Sequence, residues 1–580
     1  MVEIVIFLLI IAAGLEMLSR RIGVPRPILL VIAGTLLALV PAAPAVRVDP
    51  DVVFFIFLPP LLYWAAINTS YREFRRNSVD IMLLAIGLVV ATAGVVAAAA
   101  HVMFPSLSWP AAFALGAAVG PTDAVAATAV MRRFGVPRTL VSILEGESLV
   151  NDATSLVIFE MALTAGNTGT FSLGPALLSF LWAAGGGIIF GLAAGWCIAS
   201  LRRWIGRASE RSPVLESSIS LLTPYVAFLA ADRAGVSGVL AVVVAGLYLG
   251  HASARLLTAA SRIQTINMWE IVDFLLEGLL FIFVGLGLPL ALGAVRTGQE
   301  ETLARLIATA AAVSAVVIVL RLAWVFPVAY APRYLRRRFM DRHAPYPPWR
   351  NVLFVGWAGL RGAVSLVLAL SVPFVTSSGA PFPGRDVVIF VTFVVILVTL
   401  VGQGLTLRPL IWKLGLEPDR ADAFEEINAR LQTAQAALAR LDQIDAGEAG
   451  SLSGLGDGDA RGVMTALRDE YTHRVHRYSN EIRTRSIPAP DPNGDPVPPD
   501  DDAMEADVDG RRAGSYRLLR LATLDAERQR LIQMRDGDEI SDGVLHRVER
   551  DLDLEQALLT GSDGRQTNDP VVRVPWTTPG

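Results

Sequence analysis

LVSILEGESLVNDATSLVIFEMAL, from Leu140 to Leu163, is long enough as a helix to cross a bilayer, yet it holds Asp152 near its midpoint and Glu147 and Ser148 about one turn earlier. A carboxylate at that depth is costly to keep, and ionisable side chains there usually mark a path for ions or protons. The preceding apolar stretch adds Asp123, so two neighbouring helices carry three intramembrane acids. This segment sets the fold class: an all-α polytopic membrane protein whose polar residues line its interior.

The rest of the chain agrees. Hydrophobic side chains make up 53% of its 580 residues and charged ones 18%, and the apolar excess is concentrated before about Trp412. Residues 1–412 therefore read as a transmembrane domain and residues 413–580 as a soluble, helical, cytoplasmic tail. A net charge of −4 points to no nucleic-acid partner. The single cysteine, Cys197, excludes an intrachain disulfide and a zinc cluster; the single lysine, Lys413, lies past the last span. No cofactor is expected. The first apolar stretch carries Glu3 and Glu16 and reads as a retained helix, not a cleaved signal.

Thirteen spans are expected, at roughly 2–19, 27–41, 51–67, 79–104, 109–133, 139–164, 174–201, 214–231, 236–253, 266–293, 304–330, 351–374 and 386–411. Loop charge tests that count. Odd-numbered loops carry two or more arginines each, the eleventh holding six between Arg333 and Arg350, whereas the even loops offer Arg47, Arg233, Arg296, Arg305 and Arg385. Arginine-rich loops stay in the cytoplasm, which puts the N-terminus outside and the tail inside the plasma membrane.

Two spans are interrupted. Span 5 contains Gly120-Pro121 beside Thr122 and Asp123; span 12 contains Gly356-Trp-Ala-Gly-Leu-Arg361-Gly362. Proline removes a backbone donor and crowds the preceding turn, and the freed polar groups must be satisfied by protein, water or an ion. The interruptions lie seven spans apart, so they occupy matching places in spans 1–6 and 8–13. An odd offset reverses topology, which makes the halves inverted repeats with two broken, crossing helices; such pairs point to a transport site.

On span 6, Ser148, Asp152 and Ser155 share a face at i, i+4, i+7, with Glu147, Asn151 and Thr154 on the adjoining stripe. Asp152 and Asp123 fall near one plane of the membrane. A carboxylate there that holds a proton or an alkali cation, but not both, couples the two fluxes. Glu147 lies about 7 Å to the cytoplasmic side of the midplane and Arg321 of span 11 about 5 Å on the same side, which points to a buried, structural ion pair, with direct cation ligation by Glu147 as the alternative. Arg361 offsets charge near the crossing. Glu270, Asp273 and Glu277 share a face at the cytoplasmic end of span 10 and Glu216 begins span 8; the four form a candidate cytoplasmic funnel, or are simply solvated helix starts. The expected function is cation/proton antiport. A cation channel and an intramembrane aspartyl hydrolase with an Asp123/Asp152 dyad are the competing classes, and the spacing does not choose among Na+, Li+ and K+.

The segments Phe57-Leu-Pro-Pro-Leu-Leu-Tyr63, Gly120-Pro-Thr-Asp123, Glu145-Gly-Glu-Ser-Leu-Val-Asn-Asp152, Ser237-Gly-Val-Leu-Ala-Val-Val-Val-Ala-Gly246 and Gly356-Trp-Ala-Gly-Leu-Arg-Gly-Ala-Val364 resemble, in order, the bacterial sodium/proton exchangers of the monovalent cation:proton antiporter-1 family. The resemblance implies thirteen helices and a homodimer whose core domain moves like an elevator against a dimer domain. It implies that Asp152 is the exchanging carboxylate, surrounded by Thr122, Asp123 and Ser148, and that Glu147 and Arg321 are a stabilising pair. Asn151, in place of a second aspartate, goes with electroneutral one-for-one exchange. This sequence departs from many relatives in Trp64, where they have an acid, and in Glu277, where they have asparagine.

In the tail, helical periodicity is visible near 420–443, 460–484, 511–535 and 542–559, and residues 487–502, rich in proline and aspartate, read as an extended linker.

Overall fold

The computed structural model describes residues 2–561 apart from 41–49, 106, 169–172, 209–211, 288–302, 340–345, 377–378, 380–381, 417–419, 448–458 and 486–509. The expected linker at 487–502, the end of the tenth span, and the loop arginines Arg47, Arg211, Arg296 and Arg342 lie outside the described residues.

Among the described residues the chain is helical and forms no β-strand. It divides into two compact units: Met1–Leu257 with Gln264–Asp419, and Thr258–Ile263 with the chain from Arg420 on.

The first unit begins with α1 (Val2–Ile22), α2 (Arg26–Ala38), α3 (Pro50–Asn68) and the short α4 (Tyr71–Arg76). A continuous helix, Ser78–Met103, follows as α5 (Ser78–Met82), a π-helical stretch Leu83–Leu88 and α6 (Val89–Met103). The fifth span is split into α7 (Trp109–Ala118) and α8 (Ala124–Arg133). Next come α9 (Arg138–Thr168), α10 (Leu173–Ala208), α11 (Pro213–Arg233), α12 (Gly238–Leu256), α13 (Ala259–Leu286) and α14 (Leu303–Phe339). The twelfth span is split into α15 (Trp349–Trp357) and α16 (Ala363–Leu370). The last is α17 (Arg385–Ile396), a second π-helical stretch Leu397–Gln403 and α18 (Gly404–Leu414).

Six of the described helices are long and apolar enough to cross a membrane by themselves: Ser78–Met103, Leu177–Arg207, Pro213–Arg233, Gly238–Leu256, Ala304–Phe339 and Arg385–Leu414. Others fall short for physical reasons that bear on function: α7 with α8 and α15 with α16 are half-helices, and α9 and α13 carry the acids that lower their hydropathy.

Two bodies of hydrophobic packing meet at α9. Leu140, Ile143, Leu144, Phe159 and Ala162 join a cluster with α6, α7 and α14–α18, while Leu149 and Ala153 join another with α3, α11, α12 and Trp269. Asp152 therefore sits on the helix that borders both. α2 and α13 touch backbone to backbone, since a Cβ on Gly34 would lie 2.4 Å from the Ile282 carbonyl oxygen.

The second unit contains α19 (Arg420–Asp445), α20 (Asp459–Arg485), α21 (Gly510–Asp536) and α22 (Asp542–Gly561). Ala434, Ala437, Leu441, Leu467, Tyr471 and Leu519 form a core between α19, α20 and α21.

Candidate functional site

The two broken helices meet where their backbones leave the helical path. The Asp123 N–H donates to the Leu360 carbonyl at 2.8 Å, joining one break to the other. Asp123 also caps α8: its Oδ1 accepts from the Val125 N–H at 2.8 Å, which meets one of the donors that a helix start leaves open. Its carboxylate lies over Gly362, where an added Cβ would stand 1.9 Å from Oδ2, so this approach requires glycine. Arg361 is fully buried and donates through Nη1 to the Gly120 carbonyl, while its N–H donates to Thr399 Oγ1 at 3.1 Å. A carbonyl freed by the Gly120-Pro121 break is thus matched to a cation from the other broken helix.

Glu147 and Arg321 form a buried, two-pronged pair, each 1% exposed. Nη1 donates to Oε1 and Nη2 to Oε2, the latter at 2.9 Å, and Nη2 reaches the Val355 carbonyl at 3.1 Å. Thr122 Oγ1 donates to Glu147 Oε1 at 2.9 Å and accepts from Asn151 Nδ2 at 2.7 Å. Ser148 Oγ accepts from the Ala124 N–H at 3.4 Å. One chain of polar contacts runs Arg321–Glu147–Thr122–Asn151 and ties α14, α9 and the first break together.

Asp152 stands apart from that chain. It is 7% exposed, lies within electrostatic reach of Asp123, and its carboxylate takes no hydrogen bond among the described residues. Asn151 Oδ1 is also without a partner among them, although its amide nitrogen is committed to Thr122. The arrangement offers carboxylate, hydroxyl, amide and carbonyl oxygens, the donor type that hard cations prefer.

The structure brings Thr122, Asp123, Glu147, Ser148, Asn151, Asp152, Arg321 and Arg361 into one region. The four acids of the expected funnel differ in exposure. Glu216 is 1% exposed and lies 3.2 Å from Arg202 Nε, while Glu270 is exposed and Asp273 and Glu277 are partly so. A buried carboxylate is tolerable where a cation matches it, which accounts for Glu216. Sequence reasoning missed Thr399, which sits in the second π-helical stretch and receives the Arg361 N–H. Nothing in the local sequence announces that contact.

The profile of the family described as "Sodium/hydrogen exchanger, transmembrane" matches residues 4–413. An uncharacterised Na+/H+ exchanger of Mycobacterium tuberculosis is 36% identical over 544 residues, 93% of each chain. A Bacillus pumilus protein named a sodium, potassium, lithium and rubidium/H+ antiporter is 32% identical over 82% of this chain and 69% of its own. The solved sodium proton antiporter MjNhaP1 of Methanocaldococcus jannaschii shares the fold, with a TM-score of 0.53 at 18% identity over 70% of this chain and 98% of that one.

Proposed function

The chain belongs to the sodium/hydrogen exchanger family, and we propose that it trades sodium, or lithium, for protons one for one across the plasma membrane, with Asp152 as the carboxylate they share. At the coarser level the protein is a multi-pass membrane protein and a cation/proton antiporter, not an enzyme. The observation that carries the finer reading is the uncommitted carboxylate of Asp152 beside Glu147, whose charge Arg321 matches, and Asp123, which is held by the Val125 N–H. A proton leaves it neutral, and so does a bound alkali cation, so one replaces the other without a net change of charge. Asp123, Thr122, Ser148 and Asn151 would supply further oxygens, Glu147 with Arg321 would hold the region together, and Arg361 would offset charge at the crossing.

Alternating access needs one body to move against another. The position of α9 between two packing clusters supports motion of the broken-helix body against the body containing α3, α11 and α12. Counting each half-helix pair as one span keeps thirteen spans in two inverted repeats, with the N-terminus outside and the tail inside. A homodimer completes the reading. Glu270, Asp273 and Glu277 remain its cytoplasmic approach.

The test uses purified protein in vesicles carrying a pH-sensitive dye, with sodium, lithium or potassium added in turn. Sodium or lithium should dissipate the pH gradient, and Asp152→Asn should abolish the response. Exchange that persists in this variant would remove the mechanism, and a rate that follows an imposed potential would remove the one-for-one ratio. The potassium arm matters because the Bacillus relative carries potassium in its name.

A further inference from the structure

Arg26 opens α2, and its side chain turns onto α13. Nη2 donates to the Phe274 carbonyl at 2.5 Å, the guanidinium lies 4.0 Å above the Phe274 ring, and Nη1 is 3.7 Å from Glu277 Oε2. Both side chains are 13% exposed. The backbone contact of Gly34 with Ile282 holds the two helices close, and Gly278 leaves room for the guanidinium, since a Cβ there would stand 3.0 Å from Arg26 Nη2.

A charge-assisted hydrogen bond spans about 2.7–2.9 Å, so a separation of 3.7 Å is attraction without a shared proton. The better contacts of Arg26 go to Phe274. Glu277 feels the arginine's field, but among the described residues none donates a hydrogen bond to it. This contrasts with Glu147, whose two oxygens are held by the Arg321 fork in a buried site. A passing cation could not displace Arg321 without breaking that fork. It can take the place of Arg26, which keeps its hold on Phe274. Glu277 is also placed for transit: it lies one turn further along α13 than Asp273 and within electrostatic reach of Asp123. The charged groups around it are Arg26, Asp273, Asp123 and Glu16.

We propose that Glu277 is a cation station on the tail-facing side of Asp152, and that Arg26 is the resident counter-ion which the cation displaces. The proposal rests on the exchange reading and adds a second, sided contact for the substrate cation.

Sided exchange tests it. The protein is reconstituted in one orientation, verified by protease access to the tail, and sodium is offered from one face at a time at alkaline pH. Glu277→Gln should raise the half-saturating sodium concentration on the tail side, and the maximal rate from that side with it, by about fivefold, the size expected for a partly exposed charge contact, and leave both values on the opposite side unchanged. Arg26→Gln should shift the tail-side value the other way. A purely structural latch would alter both sides together, so equal values on the two sides, or no change in either, overturns the proposal. Exchange that survives Asp152→Asn would instead remove the underlying mechanism, which keeps the two failures distinct.

Discussion

Glu147 shows what a buried charge demands. Taking a carboxylate and a guanidinium out of water costs several kcal/mol per ion, and only good geometry with additional hydrogen bonds returns it. Both conditions hold: Arg321 meets both oxygens, Thr122 donates to one of them, and the Val355 carbonyl accepts from the arginine. Gly359 permits the approach, since a Cβ there would stand 2.1 Å from the arginine side chain. Removing one partner leaves the other charge uncompensated. Arg321→Gln should therefore cost about 3–5 kcal/mol and lower the melting temperature in detergent, while adding Glu147→Gln should recover most of the loss. A double variant no more stable than Arg321→Gln would show that the pair is not what holds the region. Depth along two antiparallel helices made this pairing legible in the sequence. The 3.7 Å pair of Arg26 with Glu277 was not legible, because Arg26 reads as one more loop arginine.

Among the elements, the broken helices illustrate which local signals survive into structure. Gly120-Pro121 and the glycine-rich run ending at Gly362 cannot sustain a regular ladder, and the helices stop at Ala118 and Trp357 and resume at Ala124 and Ala363. Asp123 has a dual place there, as the cap of α8 and as a carboxylate near Asp152. The two roles separate by substitution. Asparagine caps a helix as well as aspartate, whereas alanine loses about 1 kcal/mol. Asp123→Asn should keep the melting temperature and lose exchange; Asp123→Ala should lose both. Full exchange in Asp123→Asn would mean that only the cap matters. The π-helical stretches at Leu83–Leu88 and Leu397–Gln403 carried no such signal. Each offers a group to a distant partner: Leu83 gives its carbonyl to Trp324 Nε1 at 3.1 Å, and Thr399 Oγ1 accepts from the Arg361 N–H. Partners so distant in the chain cannot be read from a local pattern.

For the molecule as a whole, arginine serves two purposes that composition alone merges. Arg202 and Arg333 read as topological charges, yet within the first unit they pair with Glu216 and Asp80. Within the second unit Arg262 binds Asp553 at 2.6 and 2.8 Å, with Glu549 at 3.2 Å. His546 belongs to the same group. Its enclosure lowers its pKa below the ordinary 6.5, with Asp542 opposing and Arg262 and Arg535 adding to the shift. The unfolded chain therefore takes up a proton near that pH that the folded chain refuses, and stability of this unit falls as pH drops through about 6.5. Hydrogen exchange in residues 542–561 of the full chain, corrected for intrinsic rates, should show weaker protection at about pH 5.5 than at pH 7, and His546→Gln should flatten the difference. Unchanged protection in the native chain would contradict this.

By itself the sequence determined the helical membrane class, the two breaks and the acid at mid-depth, because hydropathy, proline and helical spacing act over a few residues. The tertiary structure alone decided which charges are matched. Only folding brings Glu147 to Arg321's fork, Glu277 to Arg26 at 3.7 Å, and leaves Asp152 without a partner among the described residues. Charge neutralisation depends on distance in space, which separation along the chain does not specify.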